Sequence, residues 1–128
     1  MKKFRVIIAG SRSYDDYNTL AEECDRILSL KVKDADTKIV VVSGHASGAD
    51  ALGERYAQER GLQLETFPAD WTKFGRAAGP IRNAQMASVA HALIAFPKAG
   101  EQTGGRRTWL TWLFARVYRL ELLVKFKY

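Results

Sequence analysis

Apolar residues along this chain follow two patterns. Residues 4–9 (FRVIIA), 39–42 (IVVV) and 92–96 (ALIAF) are short, nearly unbroken apolar runs rich in β-branched side chains. Runs of this kind mark strands buried on both faces. Residues 62–67 (LQLETF) alternate and predict another strand, and residues 120–126 (LELLVKF) predict a fifth. Between the runs, apolar positions recur at helical spacing. Leu20, Cys24, Ile27 and Leu28 predict a helix capped by Asp15 or Asp16 and reaching about Leu30. Ala51, Leu52, Tyr56 and Ala57 predict the inner face of a second helix, which follows Gly48 and Ala49 and stops at Gly61. Pro80 is placed to open a third helix carrying Arg82, Asn83, Met86 and Val89, after a loop with Trp71, Phe74, Gly75 and Gly79. Leu110, Leu113, Phe114 and Val117 predict a helix over residues 108–118. Strands and helices therefore alternate throughout. The expected fold class is α/β, a doubly wound and mainly parallel five-stranded sheet with helices on both faces, forming one domain over residues 1–128.

Composition narrows the setting. With 47% hydrophobic and 27% charged residues the chain has ordinary globular usage, and 128 residues suffice for a core without disulfides. Cys24 is the single cysteine, so it is expected to be a small buried apolar residue, in keeping with a reducing cytoplasm. The run after Met1-Lys2-Lys3 is too short for a secretory signal, and residues 109–124 are interrupted by Arg116, Arg119 and Glu121. A cytoplasmic location without membrane contact is expected. The net charge of +6 favours anionic partners, although the basic residues are scattered rather than gathered in one stripe.

In a doubly wound sheet, ligands bind beyond the carboxyl ends of the strands, near the point where strand order reverses. The distinctive residues lie at those ends: Gly10, Ser11 and Arg12 after the first strand, and Ser43, Gly44, Ser47, Gly48 and Asp50 after the second. Gly44 and Gly48 suit a phosphate cradle of backbone amides at a helix start, with hydroxyl donors from Ser43 and Ser47. A tight strand-to-helix turn accounts for the same glycines equally well. Arg12 and Arg82 are natural phosphate partners through paired, charge-assisted hydrogen bonds, with Asn83 beside the second. Asp50 either orients its loop or simply occupies a first helical turn, and Asp70 is placed to meet a ribose hydroxyl. Trp71 and Phe74 either stack on a base or pack over the loop. His45 and His91 lack neighbours at metal-ligand spacing, so no metal is assigned.

Taken together, GSR (10–12), SGHASGAD (43–50), FPADW (67–71), GRAAGPIRNAQM (75–86) and ALIAFP (92–97) resemble the YspA-type branch of the SLOG superfamily. The resemblance implies a Rossmann-like fold and a nucleotide or nucleotide-derived ligand, such as ADP-ribose, an NAD derivative or a mononucleotide. Two relatives supply rival activities. Lonely Guy phosphoribohydrolases cleave an N-glycosidic bond and carry an arginine segment that Arg82 to Met86 resembles. Their glycine loop and catalytic glutamate correspond poorly to residues 97–108, where Glu101, Gly104 and Thr108 stand. DNA-processing protein A binds single-stranded DNA, for which Arg106, Arg107, Trp109 and Trp112 offer a basic and aromatic surface.

The reading is therefore a ligand-binding or sensing domain without an assigned cofactor. Arg82, Glu101 and Asp50 are the candidates if there is catalysis, and a phosphoribohydrolase-like activity is the first alternative. Single-stranded DNA binding ranks behind both. The aromatic tail and the self-association common in the family are consistent with a homodimer.

Overall fold

The computed structural model describes residues 2–96 and 121–124, the last four by their backbone alone. The predicted helix over 108–118 and the glycine loop before it lie outside the described residues. Four strands are described with side chains: β1 (Lys2–Gly10), β2 (Thr37–Ser43), β3 (Gln63–Thr66) and β4 (Ala92–Phe96). Backbone pairing adds β5 (Glu121–Val124) beside β4. All pairings are parallel, and the order is β3-β2-β1-β4-β5. Chain direction across the sheet thus reverses between β1 and β4, opening a crevice at their carboxyl ends.

Period-two alternation divides the core between the two faces of the sheet. Val6, Ile8, Val41, Ile94 and Phe96 face one side and join the inner stripes of α1 (Tyr17–Lys31) and α2 (Ala49–Glu59). Ile7, Ala9, Val42 and Leu93 face the other, where α4 (Ala78–Val89) contributes Met86. The sheet centre is buried on both sides, which is why these strands need unbroken apolar sequence.

The helices follow their sequence signals, with local differences. Asp16 rather than Asp15 caps α1, its Oδ1 accepting from the Thr19 amide at 3.1 Å. Leu20, Cys24, Ile27 and Leu28 are all buried, and burial pushes the Cys24 thiol up to about 12, as befits an inert core residue. In α2 the inner face turns by about one position from expectation. Ala51 is exposed, while Gly53 presses on Ile8, where a Cβ would stand 2.9 Å from the Ile8 Cβ. Only a residue without a side chain permits that approach. Asp25 of α1 ties the two helices together, accepting from the Tyr56 hydroxyl at 2.6 Å and pairing with Arg60 at 2.9 Å.

The predicted loop before α4 is partly helical. One turn, α3 (Trp71–Phe74), is followed by a 3-10 turn over Gly75–Ala77. Pro80 consequently occupies the third position of α4 rather than its first. This is still within the first turn, where its missing N–H leaves no helical bond unmade. No helix among the described residues is long and apolar enough to cross a membrane.

One feature of the core is unbalanced. Tyr14 packs its ring 5.5 Å from that of Phe96 and is 3% exposed, yet its hydroxyl has no hydrogen-bond partner among the described residues. Burial, with nearby acidic groups, raises its pKa to about 12. A buried hydroxyl without a partner costs roughly 1–3 kcal/mol of desolvation. Tyr14→Phe is therefore expected to stabilise the fold by about 1 kcal/mol, seen as a higher urea midpoint at unchanged slope. An unchanged or lower midpoint refutes this account of the hydroxyl.

Candidate functional site

Two loops at the carboxyl ends of β1 and β2 meet backbone to backbone. The loop after β1 is a tight turn shaped by Ser11. Its amide donates to the Phe96 carbonyl of β4 at 3.1 Å, and its carbonyl accepts from the amides of Tyr14 at 3.2 Å and Ala49 at 3.0 Å. The Ser11 hydroxyl is also engaged, accepting from the Ser13 amide at 3.2 Å. Gly48, at φ 73°, sits against this turn, so that a Cβ there would overlap the Ser11 and Arg12 backbone. The Ser47 hydroxyl closes the contact by donating to the Arg12 carbonyl at 3.3 Å.

From the opposite face of the sheet, α4 sends Arg82 over the end of β2. Its Nη1 donates to the Gly44 carbonyl at 2.6 Å and its Nε to the Asn83 Oδ1 at 2.8 Å. Arg82 is 5% exposed and Asn83 3%. Gly44 gives Arg82 and Asp50 room to approach, because a Cβ there would lie 2.5 Å from Arg82 Nη1 and 2.9 Å from Asp50 Oδ2 and would push those side-chain ends aside. Arg82 also lines an open cleft of about 260 Å³ with Pro68, Asp70, Phe74, Ile81 and Gln85.

Asp50 lies beneath the same loop, its Oδ2 accepting from the Ala46 amide at 3.3 Å. Burial pushes its carboxyl up to about 6, against the opposing pull of the Ala46 amide and the charges of Arg82 and Arg12. Burial likewise lowers the Arg82 pKa, with Asp50 opposing and Arg12 adding to the lowering. Arg12 thus acts electrostatically on both buried groups. It is exposed, and its side chain makes no hydrogen bond or ion pair among the described residues. Arg82 and Arg12 thus face the buried Asp50, with the Glu54 carboxylate of α2 adding a second negative charge beside it.

The loop amides are only partly available. Those of His45, Ala46 and Ala49 are bound by Ser43 Oγ, Asp50 and Ser11 respectively. Among the described residues, the amides of Ser47 and Gly48 make no hydrogen bond. Three of these five amides therefore hold the loop's own shape.

The structure gathers Ser11, Arg12, Ser43, Gly44, Ser47, Gly48, Asp50, Arg82 and Asn83 around one strand end, with Gly10 in register with Phe96 behind them. Ser43 is fully buried, and its hydroxyl donates to Glu54 at 2.8 Å, so it braces the loop instead of facing solvent. Asp70 stands on the rim of the Arg82 cleft and caps α3, accepting from the Lys73 amide at 3.0 Å. Trp71 follows it, 46% exposed. Glu101, Gly104 and Thr108 lie outside the described residues.

Sequence reasoning missed the pairing of His45 with Glu54. His45 Nδ1 lies 2.9 Å from Glu54 Oε2, although the residues are nine positions apart. The available signal was helical: Glu54 follows Asp50 by four, and so shares its face of α2. No group of three or more metal-ligating side chains occurs among the described residues.

Comparison with known proteins follows the same lines. The sequence model of the YspA, cpYpsA-related SLOG family matches residues 4–74. The Gene 61 protein of Mycobacterium phage D29 is 36% identical over 112 residues, covering 80% of this chain and 82% of its own length. Among solved structures, TM1055 superposes with a TM-score of 0.62 at 17% identity, over 95% of this chain and 72% of that one. That likeness is one of fold. A protein described as a predicted subunit of a tRNA methyltransferase, from Methanocaldococcus jannaschii, gives a TM-score of 0.49 at 9% identity, over 98% and 68% of the two chains.

Asp50 makes the site's electrostatics measurable. Its folded pKa of about 6 lies above the ordinary aspartate value of 3.8, so the folded state binds more protons across that interval. Stability from this group therefore rises as pH falls from about 6 towards 3.8, by about 2–3 kcal/mol. Urea unfolding of wild type and Asp50→Asn across this range is expected to show the extra rise in wild type only. Parallel curves for the two proteins contradict it.

Proposed function

Because this chain belongs to the YspA, cpYpsA-related SLOG family, we propose that it binds the phosphate groups of a nucleotide or nucleotide derivative at the carboxyl ends of β1 and β2. The observation that carries the reading is the exposed Arg12 guanidinium. It makes no side-chain hydrogen bond or ion pair among the described residues, and its charge acts on Arg82 and Asp50 beside the open amides of Ser47 and Gly48. An exposed guanidinium at a strand-end loop, with no side-chain partner among the described residues and a second guanidinium nearby, suits a multivalent anion. Arg82 supplies the fixed second cation, and the cleft it lines extends towards Asp70 and Phe74, where ribose and base have room. ADP-ribose, an NAD derivative and a mononucleotide all fit this chemistry.

Phosphoribohydrolase-like cleavage ranks second. It needs a carboxylate beside the developing sugar cation. Asp50, the acid that acts on Arg82 among the described residues, is buried with its Oδ2 committed to the Ala46 amide. Binding without turnover is thus the primary reading.

The test is a thermal-shift screen with ADP-ribose, NAD, AMP and a short single-stranded DNA, followed by calorimetry and an assay for released base. A ligand at about 100 times its dissociation constant is expected to add roughly 2.7 kcal/mol of apparent stability. Arg12→Ala is expected to weaken nucleotide binding roughly ten- to hundredfold. The unliganded variant should unfold within about 0.5 kcal/mol of wild type, since the side chain braces nothing. Binding that is indifferent to Arg12, or DNA alone giving a shift, defeats the proposal. Base release would promote the hydrolase reading.

A further inference from the structure

The open cleft beside Arg82 has two walls of different origin. Ala78, Ile81 and Arg82 stand at helical spacing on one face of α4, and Pro68, Asp70 and Phe74 come from the segment before it. Its volume of about 260 Å³ falls short of the roughly 300–1,000 Å³ usual for a whole drug-sized ligand, so it suits one unit of a larger molecule. Arg82 brings an unused donor to this space. The residue is 5% exposed, and its Nε and Nη1 are bound to Asn83 and Gly44. Its Nη2 makes no hydrogen bond among the described residues. A guanidinium nitrogen left open on so buried a residue is unsatisfied until an acceptor arrives from outside the fold.

Asp70 presents the opposite chemistry to the same cleft. Its Oδ1 accepts from the Lys73 amide at 3.0 Å as the cap of α3, which holds the carboxylate in place. Its Oδ2 makes no hydrogen bond or ion pair among the described residues. The Lys73 ammonium, which also borders the cleft, lies 5.1 Å from the Phe74 ring centroid and forms no ion pair with Asp70. Serine or asparagine caps a helix as well as aspartate does, so the cap explains one oxygen and not the other. A cation and a free carboxylate oxygen on one small, partly apolar cleft call for a unit that is anionic at one end and donates at the other. A 5′-phosphorylated ribose is such a unit. Its phosphate accepts from Arg82 Nη2, its 2′,3′-diol donates, and its C–H faces suit Pro68, Phe74 and Ile81. Resting on the phosphate-binding reading above, we infer that Asp70 is a specificity-determining residue of that site, its Oδ2 accepting from the ribose hydroxyls and so selecting ribonucleotides over nucleotides that lack them.

The test reads a ratio of affinities, because a merely structural loss at α3 would weaken every nucleotide alike. AMP and 2′,3′-dideoxy-AMP carry the same phosphate and base and differ only in the diol. Calorimetry is expected to show wild type binding AMP roughly tenfold more tightly than the dideoxy analogue. Asp70→Ser keeps a capping oxygen and removes the second one. It should bind both nucleotides equally, at the affinity that wild type shows for the analogue, with an unliganded urea midpoint close to that of wild type. A wild-type ratio near one, or the same preference in Asp70→Ser, overturns the role of Asp70 and leaves the phosphate reading standing. Binding of ADP-ribose without binding of AMP does the same. If neither AMP, its analogue nor ADP-ribose binds wild type, the phosphate reading falls and this inference with it.

Discussion

A guanidinium buried at the end of a β-sheet has to be satisfied by its surroundings, and the arrangement of the site follows from how Arg82 is satisfied. It originates on α4, on one face of the sheet, and reaches the Gly44 carbonyl in the loop that leads to α2 on the other. That bond joins the two layers at the strand ends. It also takes up the room beside Gly44, draws Asp50 beneath the loop as a counter-charge, and commits Asn83 to the guanidinium Nε. Removing either partner would leave a buried charged or polar group uncompensated. The loop, its glycine, the acid and the arginine therefore act as one unit.

Strand order makes this unit face the ligand side of the fold. With β1 central and flanked by β2 and β4, the loops after β1 and β2 lie side by side at the edge of the switch-point crevice. Contact between them is close because Gly48 allows the backbone of one loop to rest on that of the other. Three amides of the second loop are spent on this packing. What remains for a ligand is a smaller set of donors, with charge from Arg12 and Arg82. For the phosphate ligand proposed above, positive charge rather than a full ring of amides would carry the affinity.

The two ionisable systems of the site differ in their surroundings. Asp50 is buried, carries a raised pKa and tempers the arginines. His45 is exposed and held by Glu54. Asp50 tempers the positive charge of Arg82 and Arg12, and the His45–Glu54 pair ties the loop to α2. Both are built on the same short loop, so a change in its backbone alters both.

Much of this was legible in the sequence. Unbroken apolar runs identified the central strands, because a strand covered on both faces has no polar position to alternate with. The glycines and arginines at strand ends, and their resemblance to the YspA-type SLOG branch, pointed to Gly10 to Arg12, Ser43 to Asp50 and Arg82, which the fold brings together at the strand ends. The helical turn over Trp71–Phe74 was not legible, being a single turn capped by Asp70 without an apolar stripe. The pairing of His45 with Glu54 was hidden for a different reason, since it needs a left-handed residue at position 45, which histidine does not announce. The roles of Ser11 and Ser43 as braces depended on burial, which only packing decides. Sequence periodicity, then, determines which segments are strands and helices and which ends carry glycine and charge, because those depend on neighbours close along the chain. Whether Arg82 meets Gly44, whether Asp50 is desolvated and which way His45 points are set by contacts between distant segments, and only the tertiary structure decides them.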